Sequence, residues 1–371
     1  MKSRQHIQSA LKWLIPGIGV KRWVLLLACG IALLSLGFSF LLRELYPLPS
    51  VFYYLTFQFI PRGLRAGLFG LAGAAVVMLA LLYLNRALLE PFVEPDPETV
   101  INAVYRYRRR ERGPKIVAIG GGHGLATLLR GLKQYTSNIT AVVTVAGSSG
   151  RARRELGVLP PGDFRNCIAA LADDEALTTQ LFQYRFPSTL LRTSSNDSGL
   201  NGHSFGNLFI TAMREVTGSF EQAILESARV LAVQGRVLPS TLQDVTLMAD
   251  LRTETVGLNR VTGESSITEA GGGIERVYLA PDDAPAYPDA VRALLDADVI
   301  VAGPGSLYTS VLPNLLVPDV ARAVAASRAL KVYVCNVATQ RGETDGYSVG
   351  DHVAALEAHV GAGLFPVVLA N

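Results

Sequence analysis

The sequence predicts an α/β fold, a Rossmann-like, mostly parallel sheet with helices on both faces, preceded by a two-helix transmembrane hairpin. Three observations predict it. Up to about Leu89 the chain is dominated by apolar runs; from Lys115 onward, short apolar strands alternate with helical stretches between glycines; and polar, glycine-bearing loops repeatedly follow the strand-like runs. The 371 residues therefore divide into an N-terminal segment (1–22), a two-span hairpin (23–89), a linker (90–114) and a ligand-binding domain (115–371).

Trp23 to Leu42 carries no charge, and it has the roughly 20 apolar residues a helix needs to cross the hydrocarbon core. Leu64 to Leu84 is interrupted only by Arg65 at its edge, where a long basic side chain can snorkel. The length of the first apolar run, and the second that follows it, speak against a cleaved signal peptide. Lys2, Arg4, Lys12, Lys21 and Arg22 precede the first span, and Arg86 with the basic run from Arg106 to Lys115 follows the second. The intervening loop holds only Arg43 and Arg62. The positive-inside rule then predicts a two-pass cell-membrane protein with both termini and the main domain in the cytoplasm. Neither span contains a carboxylate or an internal basic residue, so the hairpin reads as an anchor rather than a channel. Glu90 to Thr99 is acidic and proline-rich, a stiff linker, and Val100 to Arg110 predicts a short helix.

In the soluble part, Lys115 to Ile119 is a buried-type strand that runs into GGGHGLATLLRGL, a glycine-rich turn opening an amphipathic helix. Gly120, Gly121, Gly122 and Gly124 let a backbone approach an anion closely, and the helix directs its first N–H groups at it, so a diphosphate is the expected occupant. The loop matches neither the G-x-x-x-x-G-K-[ST] pattern nor a full G-x-G-x-x-G. The next strand, ITAVVTVAG, also lacks the acidic residue that would hold a nicotinamide-cofactor ribose. ATPase and dehydrogenase readings fall accordingly. PPGDFRN (160–166) and NGHSFGNLFI (201–210) each place small and polar residues before an apolar helix. Ala297 to Pro313 supplies a further strand with a Gly-Pro-Gly-Ser turn, and Lys331 to Val353 another strand ending in a polar loop. In an open sheet such loops converge at the carboxyl edge, where ligands bind.

A formal charge of +3 is too small to indicate nucleic acid. Cys29, Cys167 and Cys335 form no C-x-x-C pair, and no zinc-type spacing occurs. Spacing reveals no nucleophile–base–orienter set and no metal site, so no catalytic residue is assigned. The Asp173, Asp174, Glu175 run reads as a solvated helix end.

Taken together, KIVAIGGGHGLATLLRGL, ITAVVTVA, SSGRARRELG, PPGDFRNCIAAL, LFQYRF, GHSFGNLFITA, GPGSLYTSVLPNLLV and CNVATQRGETDGYSVGDHV resemble the signatures of the gluconeogenesis-factor (YvcK-type) family, which is related in fold to 2-phospho-lactate transferase. The resemblance covers Lys115 to Asn371. It implies binding of UDP-sugars such as UDP-N-acetylglucosamine, and a role in cell-wall synthesis, cell shape and carbon metabolism during gluconeogenic growth. It carries phosphate and nucleotide contacts onto Gly121, Gly122, Gly124, Asn166, His203, Asn207, Gly305, Ser306 and Thr309. Two departures accompany it. The family's Asp-Asp-Gly-Gly run before SSG is absent, which counts against metal-assisted transfer. Family members also continue beyond the strand written here as FPVVLAN, which implies an altered affinity or ligand.

The leading expectation is a membrane-tethered, non-catalytic sensor of a UDP-sugar, with a cell-wall synthesis protein as its unnamed partner and a homo-oligomer compatible with the sequence. The alternative is a transferase acting on a nucleotide-linked substrate, with His203 or Asp163 as base candidates and Mg²⁺ on the phosphate. A third reading is a membrane scaffold that has lost its ligand.

Overall fold

The computed structural model describes residues 110–147, 159–186, 203–253 and 257–371, together with scattered positions between 31 and 79. Contacts divide the chain into two units, Met1–Arg108 and Arg109–Asn371. In the first unit, Gly63 to Met78 contributes helical positions, mostly exposed, including Leu64, Leu68, Leu71 and Met78. Among the described residues no helix is long and apolar enough to cross a membrane. The first predicted span lies outside the described residues except at Ile31 and Ser35, the second is described only in part, and the predicted linker lies outside them except at Arg110 to Pro114.

The second unit is built on a six-stranded sheet. Its members are β1 (Ile116–Gly120), β2 (Ile139–Val143), β3 (Arg236–Pro239), β7 (Val299–Ala302), β8 (Leu330–Val334) and β9 (Val367–Leu369). They lie in the order β3-β2-β1-β7-β8-β9, and every neighbouring pair is parallel. Both β1 and β2 are buried along their whole length. This is why their sequences read as unbroken apolar runs rather than alternating ones.

Relative to the sheet's own strands this is the 3-2-1-4-5-6 order of a doubly wound sheet, and the winding reverses between β1 and β7. Right-handed crossovers on the two sides of such a reversal run over opposite faces, so the loops leaving β1 and β7 part and leave a crevice between them.

The helices that serve this sheet follow in chain order. They are α1 (Gly122–Leu132), α2 (Gly162–Leu171), α3 (Glu175–Gln183), α4 (Phe205–Thr217) and α5 (Phe220–Val230), with α6 (Glu264–Ala270), α7 (Pro288–Leu295), α8 (Leu312–Leu315), α9 (Pro318–Ala326) and α10 (Val349–Val360) beyond them. Helix α1 packs on α2, and α4 on α3 and α5. Phe164 of α2 and Phe182 of α3 are fully buried, and Phe164 meets Phe220 edge-on.

Local signals set the helix ends. Ser204, Ser219 and Asp174 each accept the backbone N–H three residues on, and Ser348 forms a capping box with Asp351. The acidic run that reads as a solvated helix end has these specific partners: Asp174 caps α3, and Glu175 pairs with Arg130 at 2.5 Å and Lys133 at 2.8 Å.

A second, three-stranded antiparallel sheet is formed by β4 (Thr246–Thr253), β5 (Gly257–Thr262) and β6 (Gly273–Ala280), in the order β5-β4-β6. Here the period-two alternation is plain. Leu247, Ala249, Leu251, Val277 and Leu279 are buried, while Arg252 pairs with Glu275 and Arg260 with Asp250 on the other face. The sequence reading anticipated the parallel sheet and not this smaller one.

Where the winding reverses, the two loops touch. A Cβ built on Gly124 would stand 2.6 Å from the Pro304 carbonyl oxygen and 2.9 Å from its carbon. Both atoms are backbone and cannot swing aside. Gly124→Ala gains about 1 kcal/mol of helix propensity and loses about 1–3 kcal/mol to overpacking, so we expect a net fall in Tm. A thermal melt showing a clear rise would mean that the loops do not pack as described.

Candidate functional site

The loop after β1 is a turn that glycine alone makes comfortably. Gly122 sits at φ +66°, in the left-handed region that other residues avoid. Gly121, the N-cap of α1, offers no side-chain cap. The cap comes instead from α2: the Asp163 carboxylate accepts the Gly122 N–H. It lies so close that a Cβ on Gly121 would be 2.2 Å from Asp163 Oδ2. The glycine nest that the sequence reads as an anion site thus already holds an internal anion.

Burial pushes the Asp163 carboxyl from its ordinary 3.8 up to about 6. The charge of Glu264 pushes in the same direction, and the Gly122 N–H and Arg165 oppose it. Glu264 opens α6 beside the loop that follows β2, where its Oε2 would be 3.5 Å from a Cβ on Gly147.

The loop after β7 begins with Gly303 at φ +79° and a cis Gly303–Pro304 peptide. The Gly305 N–H is donated to Asn336 Oδ1 at 2.9 Å, and the Ser306 hydroxyl to Gln340 Oε1 at 2.7 Å. A π-helical turn follows over Leu307–Val311, a local irregularity frequent at functional sites. It turns Thr309 inward, where its hydroxyl donates to Glu343 Oε1 at 2.8 Å. Gln340 Nε2 donates to the same oxygen at 3.0 Å. Burial raises the Glu343 carboxyl above its usual range against these hydrogen bonds. The polar loop after β8 therefore braces the Gly-Pro-Gly-Ser turn from behind.

Asn166 and Asn207 meet at one guanidinium, and His203 stands beside them in the chain at Ser204. Arg165 Nη1 donates to Ser204 Oγ at 2.7 Å and to Asn207 Oδ1 at 3.2 Å. Its Nε and Nη2 donate to Asn166 Oδ1 at 3.3 and 3.1 Å. His203, buried, precedes the Ser204 cap, and its carbonyl accepts the Phe186 N–H at 3.1 Å. Helix α2 links the two groups, with Asp163 reaching the first glycine loop and Arg165, two residues on, reaching the start of α4.

The structure thus brings Gly121, Gly122, Gly124, Gly305 and Ser306 to the crevice, and Asn166, His203 and Asn207 to the Arg165 cluster beside it. The Thr309 hydroxyl is taken up by Glu343. Sequence reading missed Arg165, Glu343 and Gln340, although all three stand inside the quoted motifs PPGDFRN and CNVATQRGETDGYSVGDHV. Among the described residues no group of three or more His, Cys, Asp or Glu side chains converges to hold a metal ion. Cys167 and Cys335 are buried free thiols.

A family model described as 2-phospho-L-lactate transferase CofD matches residues 116–371. A relative from Nostoc sp. is 46% identical over 100% of this chain and 80% of its own length. The gluconeogenesis factor of Bacillus subtilis is 49% identical over 70% of this chain and 78% of its own. Among solved structures, the 2.60 Å crystal structure of a UPF0052-family protein from Bacillus halodurans is 48% identical, covering 70% of this chain and 81% of that one with a TM-score of 0.63.

Asp163 carries a stability consequence whose sign follows from its environment. The folded chain holds this proton more tightly than the unfolded chain does. The group's contribution is therefore intact below about pH 4 and is lost as pH rises to about 6. At neutral pH the ionised, buried carboxylate destabilises the fold by at most about 3 kcal/mol. An amide oxygen can accept the same Gly122 N–H without the charge, so Asp163→Asn should be more stable than wild type at pH 7. The advantage should shrink towards zero near pH 4 in parallel urea titrations. An advantage independent of pH would show that the carboxyl is not held as described.

Proposed function

The chain belongs to the gluconeogenesis-factor family, and on that footing we propose that it binds a UDP-sugar, with UDP-N-acetylglucosamine as the expected ligand, in the crevice between β1 and β7. The observation that carries this reading is the meeting of two glycine loops where the winding reverses, the place where doubly wound sheets receive nucleotides. Gly121, Gly122, Gly124, Gly305 and Ser306 give the ligand close backbone approach. Asn166, His203 and Asn207 supply polar contacts beside it, and Thr309 holds the second loop in shape through Glu343.

The apolar runs Trp23 to Leu42 and Leu64 to Leu84 tether this domain to the inner face of the cell membrane as a two-pass anchor. The Nostoc relative aligns with the entire chain and the Bacillus subtilis one with 70% of it, as suits a tether carried by some members of the family. At that position the protein reports the supply of a wall precursor to a cell-wall synthesis partner during gluconeogenic growth and shapes the cell accordingly, as a regulator that performs no turnover of its own. A homo-oligomer would serve the same role.

One observation favours a second reading. The buried Asp163 carboxyl, near 6, has the poise of a general base, which a transferase acting on a nucleotide-linked substrate with Mg²⁺ would use.

Calorimetric titration of the full chain in detergent micelles separates the readings. Saturable binding of UDP-N-acetylglucosamine, weakened about 10-fold or more in Gly122→Asp (about 1.4 kcal/mol) while the melting transition persists, supports the ligand assignment. A folded wild-type chain that binds neither UDP-N-acetylglucosamine nor UDP-glucose would reject it. Turnover abolished by Asp163→Asn would favour the transferase.

A further inference from the structure

Arg165 is held by neutral oxygens rather than by a carboxylate among the described residues. Its hydrogen-bond partners are the neutral oxygens of Asn166, Ser204 and Asn207, and among the described residues it forms no ion pair. The acid nearest in sequence, Asp163, points the other way, at the Gly122 N–H, and acts on Arg165 only at longer range. Neutral acceptors orient a guanidinium but leave its charge whole. A partly buried whole charge is costly unless an anion arrives to meet it.

A second cation is brought to the same place. A short antiparallel bridge pairs Arg185 with Ser204, and the Phe205 N–H donates to the Tyr184 carbonyl at 2.8 Å. This pins the 184–186 segment against the start of α4, where Arg165 already holds the Ser204 hydroxyl. Burial, and after it the charge of Arg185, presses Arg165 below its ordinary range, so the two cations feel one another. Two neighbouring cations at a helix N-terminus favour an anion placed near both.

The arrangement is built rather than incidental. Gly206, in the first turn of α4, makes room for the arginine stem: a Cβ there would lie 2.7 Å from both Cγ and Cδ of Arg165 and 2.9 Å from Phe182 Cγ. A helix-weakening glycine thus admits the arginine stem.

We infer that Arg165, with Arg185 beside it, is the phosphate-binding group of this protein, taking the diphosphate of the bound ligand at the start of α4 while the first glycine loop stays occupied by Asp163. The inference rests on the nucleotide-sugar reading for the identity of the ligand and on the arginine cluster alone for the place of the phosphate. A phosphate held here feels the Asp163 charge at that longer range, so Asp163 weakens binding of the anion. The glycine loop then serves the rest of the ligand by close approach.

The test uses the full chain in detergent micelles with three probes: UDP-N-acetylglucosamine, inorganic pyrophosphate and uridine. We expect pyrophosphate to bind and to compete with UDP-N-acetylglucosamine, and Arg165→Gln to weaken both by about 10-fold or more while leaving any uridine binding in place. Arg165→Lys should recover part of the loss, and Asp163→Asn should tighten pyrophosphate several-fold at pH 7.5. Arg185→Gln, a change outside the helices, provides the same test with a several-fold loss if Arg165→Gln does not fold. Pyrophosphate binding that requires Arg165 in a chain indifferent to UDP-sugars would uphold the phosphate site and reject the nucleotide-sugar reading. UDP-N-acetylglucosamine binding that is unchanged in folded Arg165→Gln and Arg185→Gln would reject the phosphate site and leave that reading standing. Binding of none of the probes would reject both.

Discussion

The backbone contact between the two loops at the sheet's reversal governs the rest of the molecule. Gly124 meets the Pro304 carbonyl with no room for a side chain, and α2 reaches the same first loop through Asp163. The contact requires β1 and β7 to be neighbours in register, which their parallel pairing from Ile116 with Val299 to Ile119 with Ala302 supplies. It also requires the second loop to be held from behind. Asn336, Gln340 and Glu343, all from the segment after β8, do that through hydrogen bonds to Gly305, Ser306 and Thr309. A loop so braced presents its backbone in a fixed shape before any ligand arrives, which lowers the ordering cost of binding.

Electrostatics divides the crevice. On one side a carboxylate is buried against a glycine nest at a cost in stability. On the other a guanidinium is held by neutral oxygens, with no ion-pair partner among the described residues. Each is an unfavourable arrangement in isolation, and both lie in the first turn of the same helix. Functional sites retain such strained electrostatics where a stability optimum would remove them. Exchanging Asp163 for its amide would relieve one half, and binding an anion would relieve the other. An enzyme could use the raised carboxyl as a base, and a sensor could use it to reject all anions except one correctly placed.

Much of this was legible in the sequence. The unbroken apolar runs of β1 and β2 announced a buried parallel sheet, and the motifs that follow the strands, taken together, identified the family. The small antiparallel sheet was missed although TLMADLRT alternates cleanly, because attention to glycine loops passes over a strand whose partner lies across 254–256 and α6. Asp163 was weighed as a base and not as a cap, since nothing local in PPGDFRN says that the side chain reaches an N–H some 40 positions earlier. Arg165 was overlooked for the same reason: its partners Ser204 and Asn207 are remote in sequence, and only the packing of α2 on α4 brings them together. Glu343 was visible as a letter in CNVATQRGETDGYSVGDHV, but its burial against Thr309 depends on the π-helical turn, which has no period to read.

Amide hydrogen exchange on the full chain, with and without saturating UDP-N-acetylglucosamine, addresses the central claim that a nucleotide sugar binds where the two glycine loops meet. The account predicts slowed exchange in four stretches: Gly120 to Leu125, 184–186, 203–207, and Gly303 to Ser306. The strands of the small antiparallel sheet should be unchanged. Protection confined to that sheet, or no protection despite calorimetric binding, would place the ligand elsewhere and contradict the account.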